Sequence, residues 1–137
     1  MKRTFVDAGV LIAAARGTDE IARRAMRVLD DPDREFASSA FVKLEVLPKA
    51  IYHKRQDESE FYREFFSAVA LWADDVESVV GRADQYATSD GLAALDALHV
   101  AAAALTGCDE LVTYERPTKP ICRAKAVKVA SLHDETA

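Results

Sequence analysis

Four acidic residues lie beside or within apolar segments, where a carboxylate is unfavourable unless a cation or hydrogen-bond donors compensate its charge. They are Asp7, Glu45, Asp96 and Glu115. Among the residues three or four positions from Asp96 on the predicted helix, only His99 could compensate its negative charge. If the four acids meet, a ligand set made only of oxygen selects Mg2+ or Mn2+ over zinc. Such a cation lowers the pKa of a water and neutralises phosphoryl charge, which is what phosphodiester hydrolysis requires.

Three of these acids also have an ordinary structural interpretation. Asp7 can be a turn residue or a helix N-cap at the end of a strand. Glu45 can bend outward and pair with Lys43 or Lys49 on a solvated helix face. Asp96 can be a residue of the first helical turn, where the helix dipole favours negative charge.

Two further residues are equally open to a structural interpretation. Glu115, in the sequence Tyr114-Glu115-Arg116, can belong to a surface turn with a salt bridge. His99, on a predicted helix, is more often a packed and hydrogen-bonded core residue than a ligand. Spacing alone therefore suggests a metal site without excluding the structural alternative.

Length and composition predict one compact domain over residues 1–137. At 137 residues and 50% hydrophobic, the chain can bury about two-thirds of its unfolded surface in one core. Its net charge of -5 argues against a broad basic face for nucleic acid, because phosphate binding needs local positive charge. Any contact with RNA must then be local or assisted by a metal ion.

The cysteines and the apolar segments predict a cytoplasmic protein with no membrane partner. Cys108 and Cys122 form no zinc pattern with the three histidines, and two cysteines are too few for a secreted disulfide framework. The first residues superficially resemble a signal peptide, but Asp7 interrupts the hydrophobic core of that peptide. No apolar stretch approaches the roughly 18 residues that span a bilayer.

Hydrophobic periodicity predicts strands that alternate with helices, and therefore an α/β fold with a parallel sheet covered on both faces. An aromatic stripe, comprising Phe61, Phe65, Val69 and Trp72, indicates one amphipathic helix that packs on the core. Pro48 is expected to kink or shorten another helix. The predicted strands are residues 3–6, 35–37, 110–113 and 126–132; the predicted helices are about residues 9–15, 18–29 with Thr18 as N-cap, 38–48 with Ser38 or Ser39 as N-cap, 61–72, 77–87, and 92–105 after a cap at Ser89 or Asp90.

Two of the acids are expected at one edge of this sheet. Asp7 and Glu115 each follow a predicted strand closely. In open α/β sheets the ligand crevice lies beyond the carboxyl ends of the strands. The two side chains are therefore predicted to share one rim.

Taken together, the four acidic positions resemble the PIN-domain family, and especially the bacterial toxin ribonucleases called VapC, over nearly the whole chain. The matching segments are FVDAGVLI at residues 5–12, SSAFVKLE at 38–45, LDALHVAAA at 95–103 and LVTYE at 111–115. The run Leu-Asp-Ala-Leu-His is the most specific of them. The resemblance implies a three-layer α/β/α fold with a central parallel sheet of four or five strands, homodimers, and, in toxin members, a cognate antitoxin.

The resemblance also implies roles for single residues. Asp7, Glu45 and Asp96 would hold Mg2+, directly or through water, Glu115 would complete the acidic pocket, and Thr113 would line it. Many relatives have aspartate at the Glu115 position, so the longer side chain leaves open whether one or two metal ions bind.

Three basic residues near these motifs are predicted to contact RNA phosphates. They are Arg16, after the first motif, and Arg116 and Lys119, in the loop after Glu115. As an alternative, all three can be ordinary surface charges.

The leading hypothesis is a Mg2+-dependent endoribonuclease, the toxin component of a toxin-antitoxin pair, with RNA as substrate. A second hypothesis is a PIN-like module that binds RNA or a protein without cutting. A third is a Mg2+-dependent phosphatase with Asp7 as nucleophile, although the second acid expected two residues later is Gly9 here.

Overall fold

The computed structural model describes residues 1–134, and within them the chain forms a parallel sheet of five strands and six α-helices. A short 3-10 helix, Pro120–Arg123, precedes the last strand. The strands are β1 Lys2–Val6, β2 Arg34–Ser38, β3 Leu71–Trp72, β4 Glu110–Thr113 and β5 Lys128–Ser131; the helices are α1 Ala8–Arg16, α2 Glu20–Leu29, α3 Ala40–Tyr52, α4 Gln56–Ala68, α5 Val76–Asp90 and α6 Ala94–Leu105.

The strand order is β3-β2-β1-β4-β5, and every neighbouring pair is parallel. The central strand β1 pairs Thr4 with Phe36 of β2 on one side and with Glu110 of β4 on the other. Because the strands are parallel, their carboxyl ends lie at one edge. Asp7 and the loop after β4 therefore emerge side by side, as the sequence predicts.

The helices cover both faces of the sheet, which confirms the predicted three-layer α/β arrangement. From β1 the chain moves outward to β3 through α1 to α4, and it then returns across the sheet to β4 through α5 and α6. Right-handed crossovers in these opposite directions place the two groups of helices on opposite faces. In residues 1–134, every α-helix is too short or too polar to span a lipid bilayer.

The core lies around the central strands and α6. Phe5, Leu111 and Val100 are completely buried, and burial of a side chain of this size stabilises the fold by about 1.5 to 3 kcal/mol. The small side chains of Ala101 and Ala102, also completely buried, let α6 approach the sheet closely. That close approach fixes the position of Asp96 and His99 on the same helix.

The aromatic stripe predicted as one helix is divided between two elements, so this prediction is wrong at its end. Helix α4 ends at Ala68, and Val69 already has an extended backbone. Trp72 pairs with Ser38 as part of the edge strand β3, and its ring lies 5.8 Å from that of Phe66. The strand has only two residues, too few to show an alternating pattern.

The boundary between α5 and α6 also differs from the prediction. Ser89 and Asp90 form the last turn of α5, which ends at Gly91 with a left-handed φ of 69°. Such a residue terminates a helix, and glycine adopts the conformation most readily. Helix α6 then begins at Ala94 after Ala93, without a side-chain cap.

Two smaller predictions on helix ends are corrected as well. Asp19, rather than Thr18, caps α2, because its side chain accepts a hydrogen bond from the amide of Ala22. Pro48 does not shorten α3, which continues to Tyr52. Proline removes one hydrogen bond to the carbonyl four residues earlier. Here that residue is Leu44, which is 71% exposed, so the missing bond lies on the solvent side of α3.

A charged network joins the amino ends of the three inner strands, at the edge opposite Asp7. One guanidinium nitrogen of Arg34 donates to Glu110 at 2.5 Å and to Thr4 at 2.7 Å. Arg34 also pairs with Asp31 at 3.1 Å, and Lys2 lies 3.6 Å from Glu110. The Glu110 side chain is 6% exposed, so this pair is a buried one.

Candidate active site

Asp7 is fixed by three hydrogen bonds at the start of α1. One carboxylate oxygen accepts from the Val10 amide at 3.1 Å, as in an N-cap, and from the Tyr114 amide at 3.3 Å. The other oxygen accepts from the Thr113 hydroxyl at 2.5 Å. The residue is only 7% exposed. The N-cap interpretation is therefore confirmed, and it places the carboxylate at the edge where β1 and β4 end.

Gly9 allows the loop after β4 to approach α1. A Cβ atom at this position would lie 2.6 Å from the Cβ of Tyr114 and 3.5 Å from Oδ1 of Asp7. Since real Cβ atoms do not come this close, any larger residue would push the Tyr114 backbone away from Asp7. Gly9, which stands where a phosphatase would have its second acid, thus leaves room for the loop beside the Asp7 carboxylate.

Thr113 and Glu115 are connected through the same hydroxyl group. Thr113 is completely buried, and its Oγ1, while donating to Asp7, accepts from the Glu115 amide at 3.1 Å. The Glu115 carbonyl accepts from the Ser131 hydroxyl at 2.5 Å. The exposed Glu115 side chain therefore extends from a backbone that β4 and β5 both hold. Thr113 could donate a hydrogen bond to substrate only if its bond to Asp7 opened.

Glu45 and His99 join α3 to α6. Nε2 of His99 lies 2.6 Å from Oε1 of Glu45, and the two side chains are 4% and 29% exposed. Glu45 thus pairs with His99 rather than with Lys43 or Lys49. His99 is one helical turn after Asp96, so this contact brings Glu45 toward Asp96.

Asp96 lies in the first turn of α6, and the charged groups that shift its pKa show which residues are near it. Burial raises the pKa of Asp96 above its usual value, and the carboxylates of Glu115 and Glu45 raise it further. The imidazole of His99 opposes this shift in the pKa of Asp96. Two of the predicted acids are therefore close enough to Asp96 to repel its negative charge.

Asp7 belongs to the same electrostatic region. Burial raises the pKa of Asp7, against the hydrogen bonds from Thr113 and the backbone and the charge of His99. Cys122 provides a second link, because burial raises the pKa of its thiol and the charges of Asp7, Glu115 and Asp96 raise it further. The structure thus brings all four predicted acids into one region.

The predicted RNA-contacting residues have different surroundings. Arg16 donates from Nε to the buried Glu58 at 2.8 Å, and its side chain is 46% exposed. Arg116 and Lys119 are exposed, and neither forms an ion pair within residues 1–134. The two loop residues remain available to phosphate, whereas Arg16 is partly committed to Glu58.

The family of this chain follows from a sequence comparison. The model of the PIN domain matches residues 4–119, a region that includes all four acids and most of the chain. The chain belongs to the PIN-domain family. PIN domains are in general nucleases, and they generally use divalent metal ions. No curated protein matches the sequence.

Solved structures with the same fold come from toxin-antitoxin complexes. The PIN domain is similar to VapBC2 from Rickettsia felis bound to a promoter DNA fragment, with TM-score 0.70 and 13% identity over 94% of this chain and 98% of that chain. It is also similar to FitAcB from Neisseria gonorrhoeae, with TM-score 0.63 and 21% identity over 94% and 97%. DNA-bound VapBC from Salmonella typhimurium gives TM-score 0.67 and 15% identity over 96% and 99%. At these identities the similarity shows the fold.

The chemistry of the grouped residues fits a hard divalent cation. Their ligand atoms are carboxylate oxygens, and the raised pKa of Asp96 is caused in part by two neighbouring acids, a repulsion that a cation removes. Within residues 1–134, however, no three His, Cys, Asp or Glu side chains are arranged to hold a metal ion. Glu45 is turned toward His99, and both oxygens of Asp7 accept hydrogen bonds. The side chains would therefore have to turn toward a common point for coordination.

Three contacts at this site were not predicted from the sequence. His99 was expected to help Asp96 on the same helix or to pack in the core, and its hydrogen bond to Glu45, 54 positions away, was not expected. Ser131 holds the Glu115 backbone, and Cys122 lies within the electrostatic range of the acids. Neither of these two could be recognised, because both positions depend on how β5 and the 3-10 helix fold back on β4.

We expect the substitution Asp7→Asn to raise the midpoint of thermal unfolding in the presence of chelator by a few degrees. An amide keeps the acceptor for Val10 and offers a donor to Thr113 but carries no charge. Because the folded protein holds the Asp7 proton more tightly than the unfolded chain, ionisation of Asp7 lowers stability. This loss is absent below the unfolded pKa, near about 3.9, and develops as pH rises through the higher folded pKa.

Thermal unfolding of both proteins from about pH 4 to 7 measures the effect, and the advantage of the variant should increase with pH. Asp75→Asn is a matched control, because Asp75 is also an N-cap that accepts from the amide three residues later, but its pKa is lowered. That control should show no gain with pH. An Asp7→Asn advantage that is constant over this range, or a less stable variant at neutral pH, would contradict the prediction.

Proposed function

We propose that this PIN domain, as a single domain over residues 1–137, is a Mg2+-dependent endoribonuclease that hydrolyses RNA phosphodiester bonds. The observation that supports it best is the grouping of Asp7, Glu45, Asp96 and Glu115, which come from four separate parts of the chain, at the carboxyl edge of the sheet. Carboxylates are grouped in this way at a cost in mutual repulsion, and a hard cation offsets that cost.

In this mechanism the residues would have separate roles in metal binding and RNA binding. Asp7, Glu45 and Asp96 would hold Mg2+ or Mn2+, with Glu115 completing the pocket. The cation would supply a water of lowered pKa and charge neutralisation at the phosphoryl oxygens. Thr113 keeps Asp7 oriented, and exposed cations of the following loop, Arg116 and Lys119, would position the RNA backbone, with Arg16 contributing if it is released from Glu58.

We also propose that the chain is the toxin of a toxin-antitoxin pair in the cytoplasm, with a cognate antitoxin and a homodimeric assembly. The solved structures with a similar fold are VapBC and FitAB complexes. Helix α3 exposes Leu44, Ile51 and Tyr52 in an apolar groove, and exposed apolar surface of this kind is typical of protein contacts. Light scattering of the purified chain should give twice the monomer mass, and a monomer would contradict the homodimer.

The proposed activity is tested with purified protein and end-labelled structured RNA. We expect internal cleavage in Mg2+ or Mn2+, none in chelator, and recovery when the metal ion is added back. Cleavage that persists in chelator would contradict the metal-dependent mechanism.

A PIN-like module that binds RNA or a protein without cutting is the second candidate. It is favoured by the absence, within residues 1–134, of three side chains already arranged around a metal position. RNA bound but left intact in Mg2+ and Mn2+ would support it. Release of phosphate from small monoesters, with RNA untouched, would instead indicate a phosphatase.

A further inference from the structure

His99 is a buried polar residue beside three of the four acids, Asp7, Glu45 and Asp96. It is 3% exposed, it lies one turn after Asp96 on α6, and its ring packs 6.0 Å from that of Phe5. Its Nε2 is 2.6 Å from Oε1 of Glu45. The hydrogen bond therefore connects the element that carries Asp96 to the element that carries Glu45.

The hydrogen bonds of the ring determine where its proton lies. Nδ1 is buried and has no partner, so a proton there alone would leave an unsatisfied donor and would turn a lone pair of Nε2 toward a carboxylate. Both the neutral form with its proton on Nε2 and the imidazolium place a donor toward Glu45. His99 is thus the donor and Glu45 the acceptor, whether or not the ring is charged.

This donor uses only one oxygen of Glu45. The other, Oε2, makes no hydrogen bond with the residues that the structure describes, and the Glu45 side chain is 29% exposed. Asp96 repels Glu45, so without a fixed donor the flexible Glu45 side chain would turn toward solvent. A buried ring, held by Phe5 and its own helix, keeps one oxygen in place while the other stays available.

We propose that His99 is a positioning residue that holds the Glu45 carboxylate beside Asp96, so that both can bind the same divalent cation. The inference rests on the proposed function, since it assigns Glu45 and Asp96 to one metal site. A residue that serves packing alone would not need Nε2 aimed at a carboxylate, and the unpartnered Nδ1 makes the polar ring unfavourable for packing.

The matched variants are His99→Gln and His99→Asn. Both carry an amide, but only glutamine reaches far enough to place an N–H where Nε2 lies. We measure the dissociation constant for Mn2+ by electron paramagnetic resonance at one fixed pH, with no RNA present. Mutation of a residue that supports a metal ligand typically weakens metal binding by about 10- to 100-fold. We therefore expect His99→Asn to weaken Mn2+ binding at least about tenfold and His99→Gln to stay within about threefold.

Two further measurements keep the test decisive. If His99→Asn does not fold, His99→Leu replaces it, because an apolar side chain leaves no buried polar atom unsatisfied. In a Glu45→Gln background, loss of the His99 donor should weaken Mn2+ binding little further, since residues acting through one contact are not additive.

The outcomes separate this inference from the function on which it rests. If the unsubstituted protein binds Mn2+ and cuts RNA, but His99→Asn or His99→Leu binds Mn2+ equally well, the role of His99 is overturned and the nuclease remains. Equal losses in the Gln and Asn variants would also overturn it. If the unsubstituted protein binds no Mn2+, the metal-dependent function itself fails.

Discussion

The substitution Asp96→Asn is expected to reduce RNA cleavage by more than about 100-fold, because even residues that only support metal ligands contribute roughly 10- to 100-fold. An amide cannot neutralise a divalent cation, and Asp96 is the acid whose pKa responds to both Glu45 and Glu115. Folding should be preserved, since loss of a charge that is unfavourable in its surroundings does not destabilise the domain. Rates under single-turnover conditions, with thermal unfolding measured in parallel, provide the check.

Glu77→Gln is the matched control for Asp96→Asn. Both acids lie in the first turn of a helix, so both substitutions remove the same favourable interaction with the helix dipole. Glu77 is exposed and has no ion pair within residues 1–134. Equal effects of the two substitutions on cleavage would show that Asp96 acts through helix stability and not through a metal ion.

The substitution Arg34→Ala is expected to lower the free energy of unfolding by about 3 to 5 kcal/mol, the range found when one partner of a buried ion pair is removed. Glu110 would keep only Lys2, at 3.6 Å, in a position where its side chain is 6% exposed. Thr4 would also lose its donor. Urea unfolding measures the change through a lower midpoint at a similar slope.

Arg23→Ala is a surface control for this experiment. Arg23 pairs with Glu20 at 3.1 Å, and the two side chains are 62% and 50% exposed, so we expect a loss below about 1 kcal/mol. The double substitution Arg34→Met with Glu110→Leu should recover most of the stability lost in Arg34→Ala, because neither charge is left unpaired. Similar losses for Arg34→Ala and Arg23→Ala would argue against a buried network at this edge.

Most of the fold could be predicted from local patterns. The strands around residues 3–6 and 110–113 are apolar and short, and the helices repeat apolar residues at helical spacing. Errors occurred where the decisive information was not local. Strand β3 has two residues and exists because Ser38 and Ala37 of β2 pair with it. The end of α5 depends on the left-handed backbone of Gly91. Ser89 and Asp90, which are typical capping residues, suggested instead that the next helix begins there.

The residues of the candidate site could be predicted from the sequence, but the hydrogen bonds between them could not. The order of the acids and their motifs indicated Asp7, Glu45, Asp96 and Glu115 through family resemblance. Nothing in their spacing shows that Asp7 accepts from Thr113, 106 positions away, or that Glu45 accepts from His99, 54 positions away. Such contacts depend on the order of strands in the sheet, which pairs β1 directly with β4.

The pairing of the first strand with one near the end of the chain affects when the site can form during synthesis. Asp7 is made 106 positions before Thr113, yet the side chain and amide that orient it belong to Thr113 and Tyr114. A growing polypeptide on the ribosome therefore lacks an ordered acidic pocket until β4 has emerged. Long-range pairing of this kind delays folding. If the chain cuts RNA, the messenger and ribosome that produce it meet an ordered site only after β4 has been synthesised and has paired with β1.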